Sequence, residues 1–155
     1  MLGLLLPVIV ACGVYSFRGS LPEGVSSVAV PLMTNETAEP DVAETITDEV
    51  ISRFETEGIF RLEPRDRADA VLLLTLTDLT ESANVYDVRE EVQDVRVTLR
   101  VTVDLVRLAD GENLLHLNLS SWGTFDLAGG DRREALAEAS QKLVEDITTK
   151  LLSGW

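Results

Sequence analysis

The chain has 155 residues, of which 45% are hydrophobic and 26% charged: enough for one domain with a core, and too apolar for a disordered polymer. Its net charge of −14 excludes nucleic-acid binding of the kind driven by lysine and arginine neutralising phosphates, and gives no general attraction to anionic lipid. One cysteine and one histidine exclude an internal disulfide and a zinc site built of Cys and His ligands.

Met1 to Ala11 is an apolar run too short for a transmembrane helix, which takes about 20 residues, and it has the character of a secretion signal. Ile9-Val-Ala11 before Cys12 puts an aliphatic residue three positions ahead of a cysteine and a small one directly before it. That pattern resembles the bacterial lipobox, in which the cysteine thiol receives a diacylglyceryl group and becomes the first mature residue. It departs from such signals in having no Lys or Arg ahead of the cysteine. The expected plan is a signal segment over 1–11, a lipidated N-terminus and tether over 12–24, and one α/β sandwich domain over 25–155. The tether carries glycines and Pro22, as irregular chain does.

Val25 to Leu32 is β-branched and predicts a first strand, ending at Pro31 or lying at an edge because proline cannot donate to a ladder. From about Pro40 to Glu57 the spacing predicts a helix: Val42, Ile46, Val50 and Phe54 recur every fourth residue, and Gly58 is a natural stop. Ile59 to Leu62 returns apolar residues to the core and is expected as a brief strand before Pro64 interrupts. Ala70 to Thr77 predicts the second main strand, with Leu72, Leu74 and Leu76 on one face. Thr80 to Asp94 is mixed in character and reads as the far end of a long hairpin.

Val95 to Leu105 is the strongest signal in the chain. Every odd position is aliphatic, and the even ones are Arg96, Thr98, Arg100, Thr102 and Asp104, so the segment predicts a strand with one apolar and one wet face. Asp110-Gly111 then signals a tight turn. Leu114 to about Phe125 predicts a last strand with Leu115, Leu117 and Leu119 opposite His116, Asn118 and Ser120. Asp131, with Glu134 three residues on, resembles a capping box; it starts a second helix with Leu136, Ala139, Leu143, Ile147 and Leu151 on one stripe. The expected order is β-α-β-β-β-α, an α+β two-layer sandwich with a mostly antiparallel four-stranded sheet and two helices on one face.

Chemistry is sparse. His116 lies on the wet face of a predicted strand, flanked by leucines, with neither a cysteine nor a serine elbow near it in sequence. There is no glycine-rich phosphate loop, Gly-x-Ser-x-Gly elbow or EF-hand calcium loop, so neither a cofactor nor a metal site is expected, and the chain does not read as an enzyme. Recognition by surface remains. Arg96 and Arg100 project from the same exposed face with Thr98 between them, and Arg89 lies further out on the hairpin. The row suits phosphate or carboxylate groups, or else it pairs with acidic neighbours such as Asp104 and keeps the face soluble. The hairpin tip, Ala83 to Glu91, has Tyr86 as its aromatic residue and is the expected protein-contact edge.

Cys12-Gly-Val-Tyr-Ser-Phe-Arg-Gly19 followed by Leu21-Pro22 resembles the mature start of the LptE family of lipopolysaccharide-assembly lipoproteins, with Val14 inserted between Gly13 and Tyr15. Asn35-Glu-Thr37, Ala68-Asp-Ala70, Tyr86, the Asp110-Gly111 turn and the terminal Gly154-Trp155 resemble it as well. The resemblance implies a non-catalytic, lipid-anchored protein at the periplasmic side of the outer membrane. Its partners would be an LptD-like β-barrel, which it plugs and helps to assemble, and lipopolysaccharide. The net charge sets a condition on the second partner: a polyanionic glycolipid needs bridging divalent cations or a locally isolated basic face. Ser27-Val-Ala-Val-Pro-Leu32 followed by Asn35-Glu-Thr37 also resembles the opening of lipoproteins that activate a peptidoglycan synthase, the alternative reading.

Overall fold

The structure is a computed structural model that describes residues 22–86, 89 and 91–153. The signal segment, Cys12, most of the tether and the terminal Gly154-Trp155 lie outside the described residues. In chain order the elements are β1 (Ser27–Ala29), β2 (Thr34–Asn35), α1 (Val42–Glu57), β3 (Arg61–Leu62), β4 (Ala70–Tyr86), β5 (Val92–Arg107), β6 (Asn113–Asp126) and α2 (Arg132–Ser153).

The class is α+β as expected, but the sheet is not the expected four-stranded one. It is a mixed six-stranded sheet in the order β3-β1-β4-β5-β6, with β2 also pairing β4. The three long strands β4, β5 and β6 form an antiparallel meander, whereas β1 runs parallel to both β3 and β4, and β2 parallel to β4. The physical reason is the helix between β1 and β3. It carries the chain back to the starting end of the sheet, so the next strand runs in the same direction. The first strand is shorter than expected and lies between two neighbours. It stops before Pro31, and the chain resumes against β4 as β2.

The apolar layer follows the alternation of β5. Val97, Leu99, Val101, Val103 and Leu105 are buried, and Val95 is half-buried. Opposite them Leu72 pairs with Leu105, Leu74 with Val103 and Leu76 with Val101. A bulge between Leu76 and Asp78 then shifts the register, so odd-numbered Leu79 falls opposite Leu99 and Asp78 opposite Arg100. Fourteen residues of β6 complete the meander, and five residues, 108–112, connect it to β5. That connection is longer than a two-residue turn. Gly111 takes φ +74° in it, and the Glu112 carbonyl accepts the Arg107 N–H at 2.8 Å.

Both helices add side chains to the core on this one face. In α1, Ile46, Val50 and Phe54 are fully buried; Phe54 meets Phe60 at 5.7 Å between ring centroids, and Gly58 at φ 61° closes the helix as expected. The helix starts at Val42 rather than Pro40, because Asp41 takes a left-handed conformation (φ 67°) and the Pro40 carbonyl accepts the Val42 N–H at 2.8 Å. In α2 the buried stripe begins at Ala135, with Leu136 half-buried, then runs through Ala139, Leu143, Ile147 and Leu151. Small residues there let the helix backbone approach β6: a Cβ on Gly123 would lie 2.1 Å from the Ala135 carbonyl oxygen, and Ser121 Oγ donates to the Ala139 carbonyl at 2.7 Å. Asp131 caps the helix through the Arg133 N–H at 2.8 Å, one position earlier than a capping box would.

Candidate functional site

The even positions of β5 and their cross-strand partners make up the face that the helices leave open. Arg96, Thr98, Arg100, Thr102 and Asp104 run along its middle, with His116, Asn118, Ser120, Trp122 and Thr124 beside them on β6. Asp78, Thr80 and Ser82 of β4 complete it. Hydroxyls and amides dominate. The two arginines stand among four aspartates, Asp78 and Asp104 within the face and Asp94 and Asp126 at its far end, so the surface carries only a small share of the chain's negative charge.

The pairing within this face separates the two arginines. Arg100 forms an ion pair with Asp78, the neighbour that the bulge in β4 brings opposite it. Asp104, the partner considered from sequence, is turned to β6 instead, where His116 Nδ1 and Asn113 Nδ2 each lie 2.7 Å from its Oδ1. Partial burial pushes the Asp104 carboxyl up, but those two hydrogen bonds and the His116 charge outweigh it and hold the group below its ordinary value.

Arg96 has no carboxylate partner among the described residues. Its guanidinium stacks on Trp122 at 4.3 Å from the ring centroid and donates through Nη2 to Asn84 Oδ1 at 2.7 Å, while Nε is buried without a partner. The same indole is met by Lys142 Nζ of α2, at 4.2 Å from its centroid. Lys142 reaches round the rim of β6, held by Glu138 at 2.7 Å and by the Trp122 carbonyl at 3.1 Å. Trp122, 42% exposed, is therefore an aromatic plate that two cations meet. Sequence reasoning found Arg96 but missed the other members. The alternation of β6 carried a signal for Trp122, two residues beyond Ser120 on the wet face; nothing local pointed to Lys142.

Of the other candidates, Arg89 is exposed at the hairpin tip, Tyr86 ends β4 with its side chain outside the described residues, and Cys12 also lies outside them. Away from the sheet, Arg132 grips Glu39 with two hydrogen bonds of 3.0 and 2.8 Å and Glu81 with one of 2.6 Å, tying the start of α2 to the loop before α1 and to β4. Those contacts raise the Arg132 pKa further and lower that of Glu39. Beside this knot, Pro40, Val42, Thr45, Leu136 and Ser140 line a shallow cleft between the two helices. Among the described residues no cluster of three metal-ligating side chains occurs, and no helix is long and apolar enough to cross a membrane.

Several solved structures share this fold. The hypothetical protein CT253 from Chlamydia trachomatis superposes with a TM-score of 0.62 at 10% identity, over 83% of this chain and 96% of that one. The PelC dodecamer from Paraburkholderia phytofirmans gives 0.55 at 19% identity, over 83% and 89%. Lipoprotein GNA1162 from Neisseria meningitidis gives 0.51 at 16%, over 80% and 99%. At these identities the likeness shows the fold alone. No curated protein matches the sequence. The family model LptE, described as lipopolysaccharide-assembly, matches residues 25–151.

Proposed function

The chain belongs to the LptE family of lipopolysaccharide-assembly lipoproteins, and from that membership we propose that it is a non-catalytic partner of an LptD-like outer-membrane β-barrel. It binds and plugs the barrel and assists lipopolysaccharide transport and assembly from the periplasmic side of the outer membrane. Cys12, carrying the lipid, fixes its height above the bilayer, residues up to 24 act as the tether, and the domain from 25 onward fills the lumen.

The observation that carries this reading is the open sheet face. It is rich in hydroxyls and amides, and its two arginines offset part of its acid, so it suits a polar barrel interior better than the net charge of −14 alone implies. Arg96, lacking a carboxylate partner among the described residues and stacked on Trp122 beside Lys142, supplies a local basic point for a phosphate or carboxylate group. Arg100, with Arg89 and Tyr86 at the hairpin end, extends the contact along the same strands.

The test is affinity recovery of the tagged protein from detergent-solubilised membranes. Co-purification of a large β-barrel is the expected result. Recovery of a penicillin-binding protein without a barrel would instead move the chain to the peptidoglycan-synthase reading.

A further inference from the structure

Strand β6 is the last in the sheet order, and half of its backbone faces away from the sheet. In an antiparallel pair, residues alternate between bonding the neighbouring strand and pointing their N–H and C=O groups outward. The Arg100 carbonyl accepts Thr77 Oγ1 on the β4 side at 3.1 Å, and the Gln93 carbonyl accepts the Leu127 N–H on the β6 side at 2.9 Å. Even positions of β5 thus address β4, and odd ones address β6. Opposite the even positions stand His116, Asn118, Ser120, Trp122 and Thr124, whose backbone groups must point into the open edge. At one end α2 covers them: Lys142 Nζ donates to the Trp122 carbonyl at 3.1 Å, and the Thr124 N–H donates to Glu138 at 3.3 Å. His116, Asn118 and Ser120 are exposed, with no partner for those groups among the described residues.

Free edges of this length are ordinarily guarded by lysine, proline or an inward-pointing charge. From Leu114 to Phe125 there is no Lys, Arg, Asp, Glu or Pro, in a chain with 27 acidic residues. Leu115, Leu117 and Leu119 are only half-buried, which leaves apolar surface along the same rim. The bare stretch also has the same apolar pattern in both directions. A two-fold axis at Leu117 sets Leu115 against Leu119 of a second copy, Leu117 against its own counterpart and His116 against Asn118. No charged pair is created. The irregularity between Leu105 and Val106 bounds the stretch at one end, and the Lys142–Glu138 cover bounds it at the other.

We infer that the outer edge of β6 is a self-association surface, on which a second copy of this chain adds its own β6 antiparallel, centred on Leu117. Such an interface is isologous: each copy gives and receives the same backbone bonds. A domain that fills a barrel lumen has no room for this pairing, so the dimer is a form of the chain free of the barrel. Its test uses neither barrel nor lipopolysaccharide, and its failure is distinguishable from that of the proposed function.

Sedimentation of the full chain in density-matched detergent tests it. The expected result is a two-chain species that grows with protein concentration and with salt, because salt screens the repulsion between two acidic chains. Asn118→Pro removes an outward N–H, which an edge strand tolerates, and should weaken association by about tenfold or more with an unchanged circular dichroism spectrum. The double variant His116→Lys, Asn118→Lys leaves the backbone intact, sets like charges directly opposite on both sides of the axis and should also give single chains even if the proline variant fails to fold. A single-chain mass across the whole concentration range would overturn the inference, as would a dimer that persists in the double lysine variant. Hydrogen exchange separates the remaining occupants: slow exchange at His116, Asn118 and Ser120 in a species of single-chain mass would mean that the chain covers its own edge, and would also overturn it.

Discussion

The Arg96 guanidinium lies 4.3 Å from the centre of the Trp122 ring, and Lys142 lies 4.2 Å from the same centre. Among the described residues Arg96 is held in place by an aromatic plane and an amide rather than by a carboxylate, which leaves its charge to a ligand. Arg100, four residues along the same face, has that charge matched by Asp78.

The two arginines should therefore respond differently to substitution. Arg96→Gln can keep the hydrogen bond to Asn84 while losing the charge. It should lower recovery of the barrel or of lipopolysaccharide about tenfold or more, as expected when a charge-assisted hydrogen bond is lost, with little change in melting temperature. Arg100→Glu would face Asp78 with a like charge and should cost up to about 1 kcal/mol of stability. Comparing affinity with thermal melting for each variant checks the assignment; equal effects on melting would reduce Arg96 to a structural residue.

Asp69 predicts an acid-sensitive joint between β1 and β4. Its Oδ2 accepts the backbone N–H groups of Ser26 and Ser27 at 2.9 Å each and their hydroxyls at 2.9 and 2.8 Å. The backbone bond from Ser26, followed by the others, holds the carboxyl well below the usual carboxylate range. A depressed folded value means that the unfolded chain takes up the proton first. The stabilisation is then present at neutral pH and is lost as pH falls from about 5 towards the folded value. Asp69→Asn should lower stability at neutral pH by about 1–2 kcal/mol, modest because the site is part-exposed, and should flatten the loss of stability on acidification. Urea unfolding at a series of pH values reads both effects.

Legibility in the sequence followed how local the determining physics is. The strand β5 is plain because its sided pattern repeats over more than ten residues, and α1 because Val42, Ile46, Val50 and Phe54 recur at helical spacing and Gly58 ends them. The brief strand expected within Ile59 to Leu62 is β3, whereas the two-residue β2 carries no pattern of its own and is defined by its neighbour β4. The bulge after Leu76 was equally silent, yet it decides that Asp78 rather than Asp104 meets Arg100. Alternation thus placed both arginines on the right face and left their partners open. Lys142, reaching Trp122 from a helix twenty residues later, is a tertiary contact without a local signature.

Gly123 marks a close approach between the layers. A side chain there would meet the Ala135 carbonyl at 2.1 Å, and both atoms that must yield belong to regular elements. Gly123→Ala should cost about 1–3 kcal/mol, the range for overpacking, and lower the melting temperature accordingly. A methyl group on Gly129 would have nothing within 4 Å, so Gly129→Ala serves as the control and should leave the melting curve within experimental error. Parallel melts of both variants decide whether the close approach or mere loss of a glycine matters.

The anchor can be tested apart from the fold, since the buried core among the described residues runs from Val25 to Leu151. A domain with a net charge of −14 is repelled by anionic lipid, and no helix among the described residues is long and apolar enough to span a bilayer. On the proposed reading, membrane attachment rests on acyl chains at Cys12, each buried methylene contributing about 0.8 kcal/mol. More than one chain is needed for stable anchoring, which a diacylglyceryl group supplies. Cys12→Ala should therefore leave circular dichroism and melting unchanged while moving the protein from the membrane fraction to the soluble one. Mass spectrometry of the N-terminus should find the lipid on Cys12 in the parent and not in the variant. A variant that stayed with the membrane after an alkaline wash would show that something other than this thiol holds it there.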